Sequence, residues 1–185
     1  MKVKDIVKLV CEFIKEEELL AKLNTENPVY TTKEQKKLDL LTKCFNLVNQ
    51  EIASDYLPYM TEENVDAQNI LSFSDLSEDV INIYQVKNRF GLNMRFKNYA
   101  NYIEFSGTAK KVVYSFLPED LELGDNISFY CGLSARVFAY GIASEFLLLQ
   151  GLSADAELWD ERFKESLFVL SRRRGEHRLP KRKFL

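Results

Sequence analysis

Between Asn126 and Gln150 the chain carries only two charges, Arg136 and Glu145, which fall nearly opposite each other on a helical projection. A helix of that composition is apolar almost all round, so it has to be covered on several sides. Gly132, Ala135, Ala139 and Ala143 form a narrow stripe of small side chains that lets another backbone approach closely. Two arrangements satisfy such a helix in a chain this short. Either it is the centre of a small bundle, or it is shared with a neighbouring subunit, with that stripe as the subunit contact.

The flanking sequence supplies further helices. Val3, Ile6, Val7, Val10, Phe13 and Ile14 recur at helical spacing and predict a first helix over residues 3–23. Thr31 and Thr32, each followed three residues later by Glu34 or Gln35, match a capping box and open a second helix. Its apolar stripe is Leu38, Leu41, Phe45, Val48 and Ile52, and Pro58 closes it. Gly151 ends the apolar helix and Ser153 caps a fourth, striped by Ala156, Trp159, Phe163, Leu167 and Leu170.

Between the second and third helices the apolar spacing shortens and β-branched and aromatic residues accumulate. Short strands are predicted at Asn69–Phe73, Val80–Val86, Tyr102–Phe105 and Lys111–Leu117. The fold class expected is therefore α+β and mainly α: a helical bundle with a small antiparallel sheet, at about 69–118, inserted between helices 2 and 3. Residues 1–171 form one domain and 172–185 an extended basic tail.

That tail is the strongest functional signal. Arg172 to Leu185 holds seven Lys/Arg and one Glu, about +6, so with a total of −3 the remaining residues sum to about −9. Such asymmetry points to partners. Leu179, Phe184 and Leu185 add apolar anchors to the charge, which suits docking on a protein surface. A second basic segment, Lys87–Asn101, carries Arg89, Arg95 and Lys97 among Phe90, Phe96 and Tyr99 and contains no acid. Rings that stack bases beside cations that hold phosphates would suit nucleic acid; the same pattern also arises when aromatics pack on a sheet and cations are solvated.

The chemistry legible elsewhere is sparse. His177 is the only histidine, which leaves a Ser-His-Asp triad, a Cys-His dyad or a histidine zinc site only if the tail folds back into a pocket. Cys11, Cys44 and Cys131 are far apart in apolar contexts and read as buried small hydrophobes in a reducing compartment. No phosphate-binding glycine loop or zinc motif occurs. The carboxylate pairs Glu62/Glu63, Glu78/Asp79, Glu119/Asp120 and Asp160/Glu161 read as turn or helix-start acids. The expectation is a chain that is not an enzyme and uses no cofactor or metal, with no membrane span or signal-peptide core.

In order, these features resemble the head-to-tail adaptor (connector) proteins of tailed bacteriophages, the tubular tail A type in particular. The resemblance lies in a helical start, a β insertion from Leu71-Ser72-Phe73 to Leu117-Pro118, and an apolar helix over Leu133–Leu149. Gly151, a helix with Trp159 and Phe163, and the tail Leu179-Pro180-Lys181-Arg182-Lys183-Phe184 complete it. It implies a ring beneath the portal protein, with tail components below and DNA passing through without specific binding. It also implies portal docking by Arg178, Leu179, Lys181, Arg182 and Phe184. The chain would be found in the virion, in the bacterial cytoplasm before assembly, and as a monomer in isolation. Residues 3–23 and Lys87–Asn101 depart from that pattern. The alternative is a nucleic-acid-binding regulator that uses the tail and the 87–101 loop, against which the overall negative charge weighs.

Overall fold

The computed structural model describes residues 1–127 and 132–174. Five helices, α1 (Val3–Phe13), α2 (Glu17–Leu23), α3 (Thr32–Glu51), α4 (Ala135–Leu149) and α5 (Ser153–Arg174), make one layer. The other is a curled antiparallel sheet of β1 (Tyr59–Ser72), β2 (Asp79–Lys87), β3 (Asn93–Met94), β4 (Phe96–Asn98) and β5 (Tyr102–Leu117). The first of the two arrangements holds for the apolar helix: α4 sits at the centre, packed against α1, α3 and α5. Phe13 of α1 stacks on Tyr140 of α4 and Trp159 of α5, which are tilted to each other, with ring centroids 4.9–5.5 Å apart. Phe45 of α3 meets Phe138 of α4 at 5.8 Å.

The close approach that small residues permit falls at Gly141. A Cβ there would stand 2.8 Å from Val48 Cγ1 and 3.0 Å from the Phe163 ring, so α3 and α5 both press on this point. Ordinarily alanine is favoured over glycine inside a helix by roughly 1 kcal/mol. Here overpacking reverses the sign: Gly141→Ala should destabilise the chain by about 1–3 kcal/mol. Urea unfolding followed by circular dichroism measures this, and unchanged or increased stability would show that the core yields there.

Helix boundaries differ from the sequence reading in two places. The single helix expected over 3–23 is broken between Ile14 and Glu16, where Lys15 adopts a left-handed φ of 59°. The second helix does open on a capping box: Thr31 accepts from the Glu34 amide and the Glu34 carboxylate accepts from the Thr31 amide. It then widens into a π-turn, Ile52–Tyr56, that delivers the chain into β1.

The expected mainly helical bundle with a small inserted sheet is corrected by the structure, because the sheet is a large five-stranded layer. Asn69–Phe73 is only the end of a strand that begins ten residues earlier, and two predicted short strands are parts of the continuous β5. The physical reason lies in β1. Glu62, Glu63 and Asp66 give it the look of a loop, yet Tyr59, Thr61, Glu63, Val65 and Ala67 alternate toward the more covered face while the residues between are exposed. Strand β5 pairs with β1 along its whole length, with β2 at one end and with β4 at the other. The register of β1 on β5 shifts twice, and at the second shift Asn69 (φ 64°) accepts through its side-chain oxygen from the amide of Gly107 (φ 108°) at 3.0 Å. Such irregularities bend and twist a sheet. Its inner face buries Ile103, Phe105, Ala109, Val112, Tyr114 and Phe116. The Tyr59 hydroxyl, buried at the junction, donates to Asn49 Oδ1 of α3 at 2.9 Å and ties the two layers together.

Candidate functional site

The sequence-predicted site residues separate into three groups. The tail residues Arg178, Leu179, Lys181, Arg182 and Phe184 lie outside the described residues. Of the small stripe, Ala139 and Ala143 are fully buried within the chain's own core, while Gly132 is exposed in a turn (φ 76°) and Ala135 is half-buried at the start of α4. The middle of the stripe is thus used for intramolecular packing and presents nothing to a second subunit.

The basic segment is built on the sheet. The Asn88 carbonyl accepts from Gly91, and its side-chain oxygen accepts from the amides of Phe90 and Leu92 at 2.9 and 3.1 Å. These bonds fix a tight turn with Gly91 at φ 74°, and the turn holds Phe90 70% and Leu92 63% exposed. The Arg89 guanidinium lies over the Phe90 ring at 4.6 Å. Arg95 and Lys97 stand apart from Arg89: they line a separate depression with Glu104, the cross-strand partner of Lys97. Among the described residues, none of Arg89, Arg95 and Lys97 has a carboxylate within ion-pair distance.

What the sequence reading missed is the company Arg89 keeps. Strand pairing sets Lys111 directly opposite Lys87, and Lys110 is beside them. Together with Arg89 these three lysines line a concavity of about 720 Å³, whose wall also includes Asn64, Val65, Asp66, Asn88 and Gly91. Like charges directly opposite on a sheet repel. Glu62 relieves the repulsion by accepting from Lys87 at 2.9 Å and from Lys111 at 2.6 Å, one carboxylate bridging three strands. Asp66 pairs with Lys110 at 2.6 Å. Four cations therefore face two carboxylates, and the excess is positive.

The lysine hydrogen bonds and charges hold the Glu62 carboxyl at about 2, against an ordinary value of 4.5. Because the folded value is the lower one, the stabilisation from Glu62 is complete above the ordinary value and is lost as pH falls through about 2. Glu62→Gln should accordingly lower Tm at neutral pH, and its difference from the wild type should close as the solution is acidified toward 2. Circular-dichroism melts across that range test this; a difference independent of pH would mean the bridge is not what the substitution removes.

The neighbouring Glu63 has a different task. Burial pushes its carboxyl up, but hydrogen bonds from the Ser77 amide and the Tyr114 hydroxyl outweigh burial and leave it below the usual range. The phenol of Tyr114 is in turn raised to about 12 by burial and by that carboxylate. Glu62 and Glu63, read from sequence as turn acids, tie β1 to β5, and Glu62 also reaches β2. Cys11 and Cys44 are buried and free, their thiols raised by burial to about 12 and about 11; Cys131 lies outside the described residues. No group of side chains suited to hold a metal ion occurs among the described residues, and no helix there is long and apolar enough to cross a membrane.

No protein-family model matches the chain, and no curated protein is similar enough to count as a relative.

Proposed function

We propose that this chain is a non-enzymatic assembly protein, a head-to-tail adaptor of a tailed phage or prophage that joins a ring beneath the portal and lets DNA pass. The observation that carries the reading is the two-sidedness of α5. One stripe of this helix, Ala156, Phe163 and Leu167, is buried against the body. The opposite stripe leaves Leu158, Phe168 and Val169 about half exposed, and the helix runs directly into the basic segment. An outward helix face with exposed apolar side chains, leading into Leu-Pro-basic-aromatic sequence, suits assembly contacts, the face with a neighbouring subunit and the tail with the portal. The rival reading, a nucleic-acid-binding regulator, draws support from the cations on the sheet, while an overall charge of −3 works against it.

Mixing the chain with the portal protein encoded in the same genome should give a ring-sized complex by light scattering. Removing residues 175–185 should abolish that complex while the circular-dichroism spectrum of the remainder is retained. The adaptor reading is lost if no portal from that genome binds at any salt concentration, or if the shortened chain binds as well as the full one.

A further inference from the structure

Two charged surfaces on this chain complement each other and cannot meet within it. One is the basic concavity of Lys87, Arg89, Lys110 and Lys111, edged by the exposed Phe90 and Leu92. The other is the outward stripe of α5, where Glu161 and Glu165 are exposed between Leu158 and Phe168 at helical spacing. Among the described residues neither glutamate has a cation within ion-pair distance, and the ion pair seen there on that helix is Lys164 with Asp160. Arg172, one turn beyond Phe168 on the same stripe, lies over the Phe168 ring at 4.4 Å. Helix α5 packs chiefly on α4, and touches the π-turn rather than the far end of β2 where the concavity lies. The concavity holds two more cations than carboxylates, with Arg89 lacking an ion pair among the described residues, and the stripe presents two glutamates. Both carry exposed apolar side chains, and one is concave and the other convex.

We propose that the acidic stripe of α5 in one copy docks in the basic sheet concavity of a second copy. Because the two surfaces differ, the contact is heterologous and propagates head to tail, closing into a ring or continuing as a filament according to the rotation between copies. Apolar contact by Phe90, Leu92, Leu158 and Phe168 supplies the attraction that salt does not screen, and the charges set register and partner choice. The inference rests on the adaptor reading only for closure into a ring. Its contact is a property of the chain alone, weak enough that the protein is a monomer when dilute.

The test is a charge-swap complementation by sedimentation velocity at low ionic strength. The wild-type chain should show a sedimentation coefficient that rises with concentration, with association detectable at Kd values up to about 1 mM. Arg89→Glu with Lys110→Glu, and separately Glu161→Lys with Glu165→Lys, should each weaken association by about tenfold or more. An equimolar mixture of the two variants should recover it, since the acidic sheet of one then faces the basic helix of the other. Recovery is a readout that a folding defect cannot produce. A wild-type chain that stays monomeric throughout, or variants that associate as the wild type does, overturns the proposal. So does a mixture that fails to recover. A labelled DNA duplex titrated in parallel decides the other occupant: binding that survives physiological salt and is lost in the Arg89→Glu, Lys110→Glu variant assigns the concavity to nucleic acid instead. Self-association without portal binding would leave this contact standing and remove the adaptor reading; portal binding without self-association would do the reverse.

Discussion

The structure depends on the need to cover α4. Valine, phenylalanine, isoleucine and leucine on nearly every side of one helix leave no solvated face broad enough to float it on a surface. Three other helices surround it, and the aromatic stack of Phe13, Tyr140 and Trp159 joins α1 and α5 to α4. The tight point at Gly141 lets α3 and α5 approach the same helix closely. Once α3 is fixed, Asn49 fixes Tyr59 and so the start of β1. Asn46 brackets Leu121, accepting from its amide and donating to its carbonyl at 3.0 and 3.1 Å, and so positions the segment that leaves β5. The sheet is aimed by polar side chains of a helix whose own place is set by apolar packing.

Electrostatics enters mostly outside that core. The sheet bears its charge in cross-strand sets, and Glu62 shows how a single carboxylate lets two lysines occupy opposed positions on β2 and β5. Exposed ion pairs contribute little stability individually. Their value here is positional, since they hold a basic surface in a defined shape beside Arg89, whose guanidinium lies over the Phe90 ring. On α5 the acids have the opposite arrangement, exposed and mostly without cationic partners among the described residues.

Apart from the break at Lys15, the helices were legible in the sequence because their signals are local: the capping box at Thr31, the stripe Leu38 to Ile52, and the glycine and serine flanking the α4–α5 turn. The length of the sheet was not. Strand β1 has one half-covered face and a run of acids, and only its partner β5 reveals that Glu62 and Glu63 are bonded across strands. The small-residue stripe was visible as a pattern, but which neighbour used it depended on packing that spacing does not encode. Arg89 was singled out on its own segment, whereas its companions Lys110 and Lys111 lie about twenty residues away and are brought to it by strand register alone.

The bond between Asn69 and Gly107 spans 38 residues of sequence and replaces a backbone rung of the ladder with a side-chain one. An amide reaching across a bulge satisfies the partner strand's N–H whatever the flanking residues happen to be. The bend at this bulge is thereby entrusted to two positions, one needing a short side chain that tolerates left-handed backbone and the other favouring the absence of a side chain. The surrounding strand residues are then released to vary in identity while the bend persists. Distant kin of this chain would be betrayed less by similarity along β1 and β5 than by an asparagine and a glycine kept in step across the two strands.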